Sequence, residues 1–99
     1  MILVEGSFRI PPANLPAARE AMARAVVASR AEDGCIAYSY GEDLCDPGRF
    51  IVLEKWESRA ALDAHFQTAH MARWVAERAS LGFGERSIRL HETGGGEAV

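Results

Sequence analysis

The stretch LEKWESRAALDAHFQTAH, Leu53 to His70, concentrates the residue types that do chemistry near neutral pH. His65 and His70 are candidate general bases, because imidazole titrates close to physiological pH. Glu54 and Trp56 share one face of a strand, and a carboxylate on an inward face is rarely buried without a partner. Arg9, Arg86 and Arg89 on other strands are candidate partners. Tyr38 and Tyr40 point together on a neighbouring strand. With Trp56, Phe66 and Trp74 they could wall a cavity for a flat organic molecule, since aromatic walls with a few polar groups are the usual make-up of such sites. Each feature also has a plainer explanation. A lone histidine beside an apolar stripe is often a buried, hydrogen-bonded residue, and a tryptophan in a small domain often only fills the core.

A metal site is not expected. On one continuous helix, a separation of five residues turns His65 and His70 roughly 140° apart. There is no HExxH, and neither cysteine lies near the pair. Nucleophile elbows, phosphate loops and dinucleotide fingerprints are also absent.

The elements that would carry these residues follow from periodicity. ILVEGSFRI (Ile2–Ile10) alternates as a half-polar strand, and PPANLP stops it. Asn14 is an expected N-cap for a helix reaching about Glu32, with Leu15, Ala18, Met22, Ala25, Val26 and Ser29 at helical spacing. CIAYSYGE is a second strand, with Ile36, Tyr38 and Tyr40 expected on one face. Pro47-Gly48 suits a type II turn. RFIVLEKWE is the third strand, with Phe50, Val52, Glu54 and Trp56 on one face. Ser58 is expected to cap a helix through about Phe66. Thr68 would cap a second piece reaching Leu81, with Met71, Trp74 and Val75 inward and Gly82 as the stop. FGERSIRLHE is a fourth strand. The order β-α-β-β-α-β is the ferredoxin-like, α+β arrangement: one antiparallel sheet with helices on one face. Residues 1–92 form a single domain, and the glycine-rich segment 93–99 is expected to be a flexible tail.

Composition narrows the function classes. The chain has 99 residues, 48% hydrophobic and 25% charged, with a net charge of −3. No run of Lys and Arg appears, which argues against nucleic acid and anionic membranes as partners. No signal peptide or membrane span is expected. Cys35 and Cys45 lack CxxC spacing and suit reduced thiols in a cytoplasmic protein. In a domain this small the open sheet face invites a second copy, so a homodimer is expected.

SRAEDGCIAYSY followed by RFIVLEKWESRAALDAHFQTAHMARW resembles the antibiotic biosynthesis monooxygenase family, and within it most closely the quinol monooxygenases. The resemblance spans about Ile2 to Leu90. It is carried by Glu32, Gly34 and Cys35, then Glu54 and Trp56, then His65 and His70. It implies a dimeric α+β barrel with a pocket between sheet and helices. It also implies oxidation of a quinol or phenolic aromatic by O2 without metal, flavin or other cofactor, with His65 or His70 as base. The haem-degrading branch uses a strand-one Asn, a Trp and a helical His. The only Asn here is Asn14, beyond the first strand, and the other two positions fall at His65 and near Val75, so haem degradation is not implied. The antibiotic-pathway oxygenases pair an Asn with the Trp of strand three, and Val52 stands at that Asn position. A further branch isomerises a phosphorylated sugar, which keeps non-oxidative isomerisation of a small carbonyl compound as an alternative, beside a non-catalytic small-molecule-binding barrel.

Overall fold

The computed structural model describes residues 1–99. Alternating side chains build four strands: β1 (Ile2–Arg9), β2 (Cys35–Glu42), β3 (Arg49–Trp56) and β4 (Gly84–Glu92). They form one antiparallel sheet in the order β2-β3-β1-β4. The helices α1 (Leu15–Arg30), α2 (Arg59–Phe66) and α3 (Ala69–Leu81) connect them. This is the ferredoxin-like α+β arrangement that the order of elements predicts.

The inner sheet face packs against the helices. From β1 it presents Ile2, Val4 and Phe8, and from β3 Phe50, Val52, Glu54 and Trp56, all buried. Helix α1 answers with Ala18, Ala21, Met22, Ala25 and Ser29. These are small side chains apart from Met22, so its backbone can lie close to the sheet. The outer sheet face is covered by nothing within the chain. Ile51 and Leu53 there are each 40% exposed.

Local signals hold at most element ends. Ser58 Oγ accepts from the Ala61 amide, and the Thr68 side chain accepts from the Met71 amide. Gly82 closes α3 in the left-handed conformation. Gly48 has φ +89° in the turn closed by the Arg49 amide donating to the Asp46 carbonyl, at 3.1 Å.

Four expectations are corrected. Asn14 sits at the start of α1 but its side chain makes no cap bond; Nδ2 instead donates to the Leu81 carbonyl at 2.9 Å, closing the far end of α3. Helix α1 ends at Arg30 rather than near Glu32. Ile36 leaves the tyrosine face: a register shift between Cys35, opposite Trp56, and Ala37, opposite Lys55, leaves Ile36 without a partner in β3, and it turns out, 53% exposed. Val75 is also exposed, while Met71 and Trp74 of the same helix are buried.

Candidate active site

Between the inner sheet face and helices α2 and α3 lies a cavity of about 150 Å³. Tyr38 and Tyr40 of β2 and Glu54 of β3 line the sheet side. His65 and Phe66 of α2, with Trp74 and Arg78 of α3, line the helix side. Leu90, Ile88 and Arg86 of β4 complete the wall.

His65 is fully buried. Its Nδ1 lies 2.6 Å from Glu32 Oε2, and the same oxygen lies 2.9 Å from His70 Nε2. A carboxylate oxygen only accepts, so both ring nitrogens donate to it. The proton of neutral His65 is thereby fixed on Nδ1. Its Nε2 is buried, carries the lone pair and has no partner. Burial lowers the His65 pKa, with Glu32 opposing that shift, so the ring is held neutral through most of the physiological range.

The two histidines converge because α2 and α3 are separate helices. The chain breaks at Gln67 and Thr68, and α3 restarts with its own Thr68 cap. The separation of roughly 140° applies to a single uninterrupted helix and does not hold here. Glu32 reaches them because α1 stops two residues earlier and the chain turns through Gly34. Gly34 has φ +80°, and a Cβ there would stand 2.6 Å from the Ala61 side chain of α2. Its carbonyl accepts from the Glu57 amide at 2.8 Å, which ties the start of β2 to the head of α2. The ligand atoms of Glu32, His65 and His70 all lie within 4.8 Å of one another, so these three are the residues that could hold a divalent cation. In the arrangement seen, the two nitrogens spend their protons on the carboxylate.

Glu54 is 7% exposed. It accepts a hydrogen bond of 3.0 Å from Trp56 Nε1. Burial raises its pKa to about 7, against the lowering pull of the Trp56 bond and the Arg86 charge. Trp56 itself is fully buried and does not reach the cavity; it stands behind Glu54 and packs on His65 with ring centroids 4.7 Å apart. Trp56, expected among the cavity walls, is therefore one layer behind them. Tyr38 and Tyr40 join hydroxyls at 2.9 Å, and burial pushes both phenols up. Phe66 is 53% exposed and sits at the mouth. His70 lies outside the cavity and holds Glu32 from the solvent side. Glu32, Met71 and Arg78 were not singled out as site residues by spacing. Only the Glu-x-Gly-Cys motif pointed toward Glu32.

A four-stranded antiparallel sheet with helices on one face defines a ferredoxin-like α+β protein, here with an aromatic cavity between sheet and helices. Residues 1–77 match the family described as antibiotic biosynthesis monooxygenase, and the chain belongs to that family. The Bacillus subtilis protein named "Putative monooxygenase YcnE" is 31% identical over 81 residues, covering 82% of this chain and 85% of that protein. The uncharacterized Synechocystis protein sll1783 is 32% identical over 91 residues; the match covers 92% of this chain and 62% of that longer protein. A solved Deinococcus radiodurans structure given the same family description superposes with a TM-score of 0.93, covering 100% of this chain and 98% of that one. Its sequence identity is 24%, so that likeness speaks for the fold alone.

Proposed function

We propose that the protein is a cofactor-independent monooxygenase that oxidises a single-ring quinol or related phenol with O2. The observation that carries this reading is the buried, unpartnered Nε2 of His65 at an aromatic cavity, with Nδ1 anchored by Glu32. That is the arrangement of a general base, worth roughly 10² to 10⁴ in rate. The volume supports a small ring: an apolar cavity near 150 Å³ is known to take up benzene.

The chemistry balances without a protein-bound redox group. His65 Nε2 takes the phenolic proton, and the quinolate gives one electron to O2. The resulting semiquinone and superoxide combine at a ring carbon to form a hydroperoxide. Protonation of the distal oxygen, with loss of the proton on that carbon, breaks the O–O bond. One oxygen stays as a carbonyl and the other leaves as water, so quinol plus O2 gives hydroxyquinone plus water. Glu54, neutral up to about pH 7, is the acid for the peroxide. The dry aromatic walls keep bulk water from the radical pair.

The test is O2 uptake with hydroquinone and substituted hydroquinones, by wild type and by His65→Ala. Uptake that is enzyme-dependent, unaffected by chelators and lost in the variant is expected. Chelator-sensitive uptake would transfer the role of Glu32, His65 and His70 to a metal. Absence of uptake with every quinol would overturn the reading.

Isomerisation of a small carbonyl compound is the second reading. It requires a cationic group beside the base, and Arg78 and Arg86 in the cavity wall meet that requirement. Turnover under argon would select it.

We also propose a homodimer formed through the outer sheet face, where Ile36, Ile51 and Leu53 are exposed together. Two sheets packed face to face would bury this surface. Sedimentation velocity should give a dimer, and Leu53→Lys a monomer.

A further inference from the structure

Of the ten arginines of this chain six are in ion pairs, Arg30 donates to the Tyr38 carbonyl and the Ser39 hydroxyl, and Arg89 does not border the cavity. Arg9, Arg19, Arg24, Arg49, Arg59 and Arg73 each hold a carboxylate in an ion pair. Arg78 and Arg86 hold none, and both border the cavity. Arg78 projects from α3, half-buried, with its guanidinium 5.0 Å from the centre of the Phe83 ring and 5.9 Å from that of Trp74. The rings hold its apolar face and leave the edge with its N–H donors free. Arg86 stands on β4 two residues before Ile88, on the inner face and at the exposed rim. The cavity's single acidic side chain is Glu54, and one of its oxygens is already occupied by Trp56. Arg78 therefore faces the cavity with no ion-pair partner, and Arg86 with only the charge of Glu54 acting on it through space. Planar guanidinium forks are suited to carboxylates, which they bind through paired N–H donors.

We propose that Arg78 and Arg86 form an anion subsite, and that the substrate is an aromatic acid: a hydroxylated benzene ring carrying a carboxylate. The ring lies among Tyr38, Tyr40 and Trp74, its carboxylate meets the two arginines, and its hydroxyl faces His65 Nε2. This rests on the monooxygenase reading for the reaction but not for the binding. An anionic ring substituent would fix which hydroxyl reaches the base, because the arginines and His65 approach the cavity from different elements. It would also favour the acid over neutral phenols of the same size, which leave the half-buried Arg78 unpaired.

Calorimetric titration under argon separates binding from oxidation. The probes are 2,5-dihydroxybenzoate and hydroquinone, which differ only by the carboxylate. Wild type is expected to bind the acid at least tenfold more tightly. Arg86→Gln, at the exposed rim and neutral to folding, should erase most of that preference while leaving hydroquinone affinity within twofold. Arg78→Gln should do the same, and Arg78→Lys should restore part of it. Equal affinity for the two probes, no binding of the acid, or an unchanged preference in both Gln variants would overturn the proposal. Oxygen uptake is then scored separately. Preferential binding of the acid without uptake sinks the oxygenase reading and leaves the subsite standing. Uptake with hydroquinone, at equal affinity for both probes, sinks the subsite and leaves the oxygenase.

Discussion

The two ends of the inner sheet face are built on the same strands and differ in kind. At one end Phe8 stacks on Phe50 and Phe83, with centroids 5.6 and 4.3 Å apart, and Ile10, Met22 and Leu81 close the cluster. At the other end Ile2, Val4, Tyr38, Trp56 and Leu62 surround two buried titratable groups, Glu54 and His65. Strand β3 runs through both, and its inward residues pass from Phe50 and Val52 to Glu54 and Trp56. Burying a carboxylate costs several kcal/mol unless it is paired or neutral. The closed end carries no such cost. Apolar packing and buried titratable groups thus lie at opposite ends of one face, which lets each be disturbed alone.

The sharpest break in this comparison is His65→Ala. It should lower turnover per folded molecule by roughly 10² to 10⁴; single-turnover O2 consumption and a denaturant titration separate that loss from the stability cost of emptying a buried site. Phe8→Ala should do the reverse. It removes a fully buried ring and should cost about 3–5 kcal/mol by denaturation, with the rate per folded molecule retained.

Next comes Glu54→Gln, read through pH. A carboxyl whose pKa is raised by folding binds its proton more tightly in the native state, so its presence favours folding at acid pH. That advantage is complete below the unfolded value of 4.5 and is lost as pH rises through about 7. Replacing Glu54 by Gln should flatten this slope and stabilise the protein by about 1–3 kcal/mol above pH 7. His65 acts in the opposite sense. Its pKa is lowered on folding, so its contribution is present above the ordinary histidine value and falls as pH drops below it. Activity should follow both: neutral His65 sets the acid limb and protonated Glu54 the alkaline limb near pH 7. In Glu54→Gln the alkaline limb should disappear. The smallest effect is expected from His70→Asn, about a tenfold loss of turnover with KM unchanged, in the range of a partner that orients a functional histidine. A KM change as large as the rate change would place His70 in substrate binding instead.

Most of the fold was legible because its signals are local. Alternation marked the strands, and Ser58, Thr68 and Gly82 marked helix ends within a residue or two. The site was less so. His65, Glu54, Tyr38, Tyr40 and Trp74 were singled out from their faces, and all border the cavity. Glu32 was quoted only as part of a motif, since its bond to His65 joins residues 33 apart and leaves no periodic trace. Arg78 is one more basic residue on an amphipathic helix until β4 closes beside it. Trp56 shares the inward face with Glu54 yet works behind it, a distinction of depth that alternation does not encode. The bulge that turns Ile36 outward is likewise a two-strand property.

One oxygen atom, Glu32 Oε2, receives both histidines, and on the monooxygenase reading this gives the buried base a counter-charge. His65 is sealed from solvent, whereas the His70 side chain is about one quarter exposed. A proton taken up at Nε2 would turn the His65 ring into an imidazolium with no water beside it, and the carboxylate that holds Nδ1 would balance that charge. The base would then be supported from behind, and its proton would go back through the aromatic cavity in front. Glu32→Gln turnover should accordingly fall more than that of His70→Asn; an equal or smaller loss would mean that the carboxylate only orients the ring.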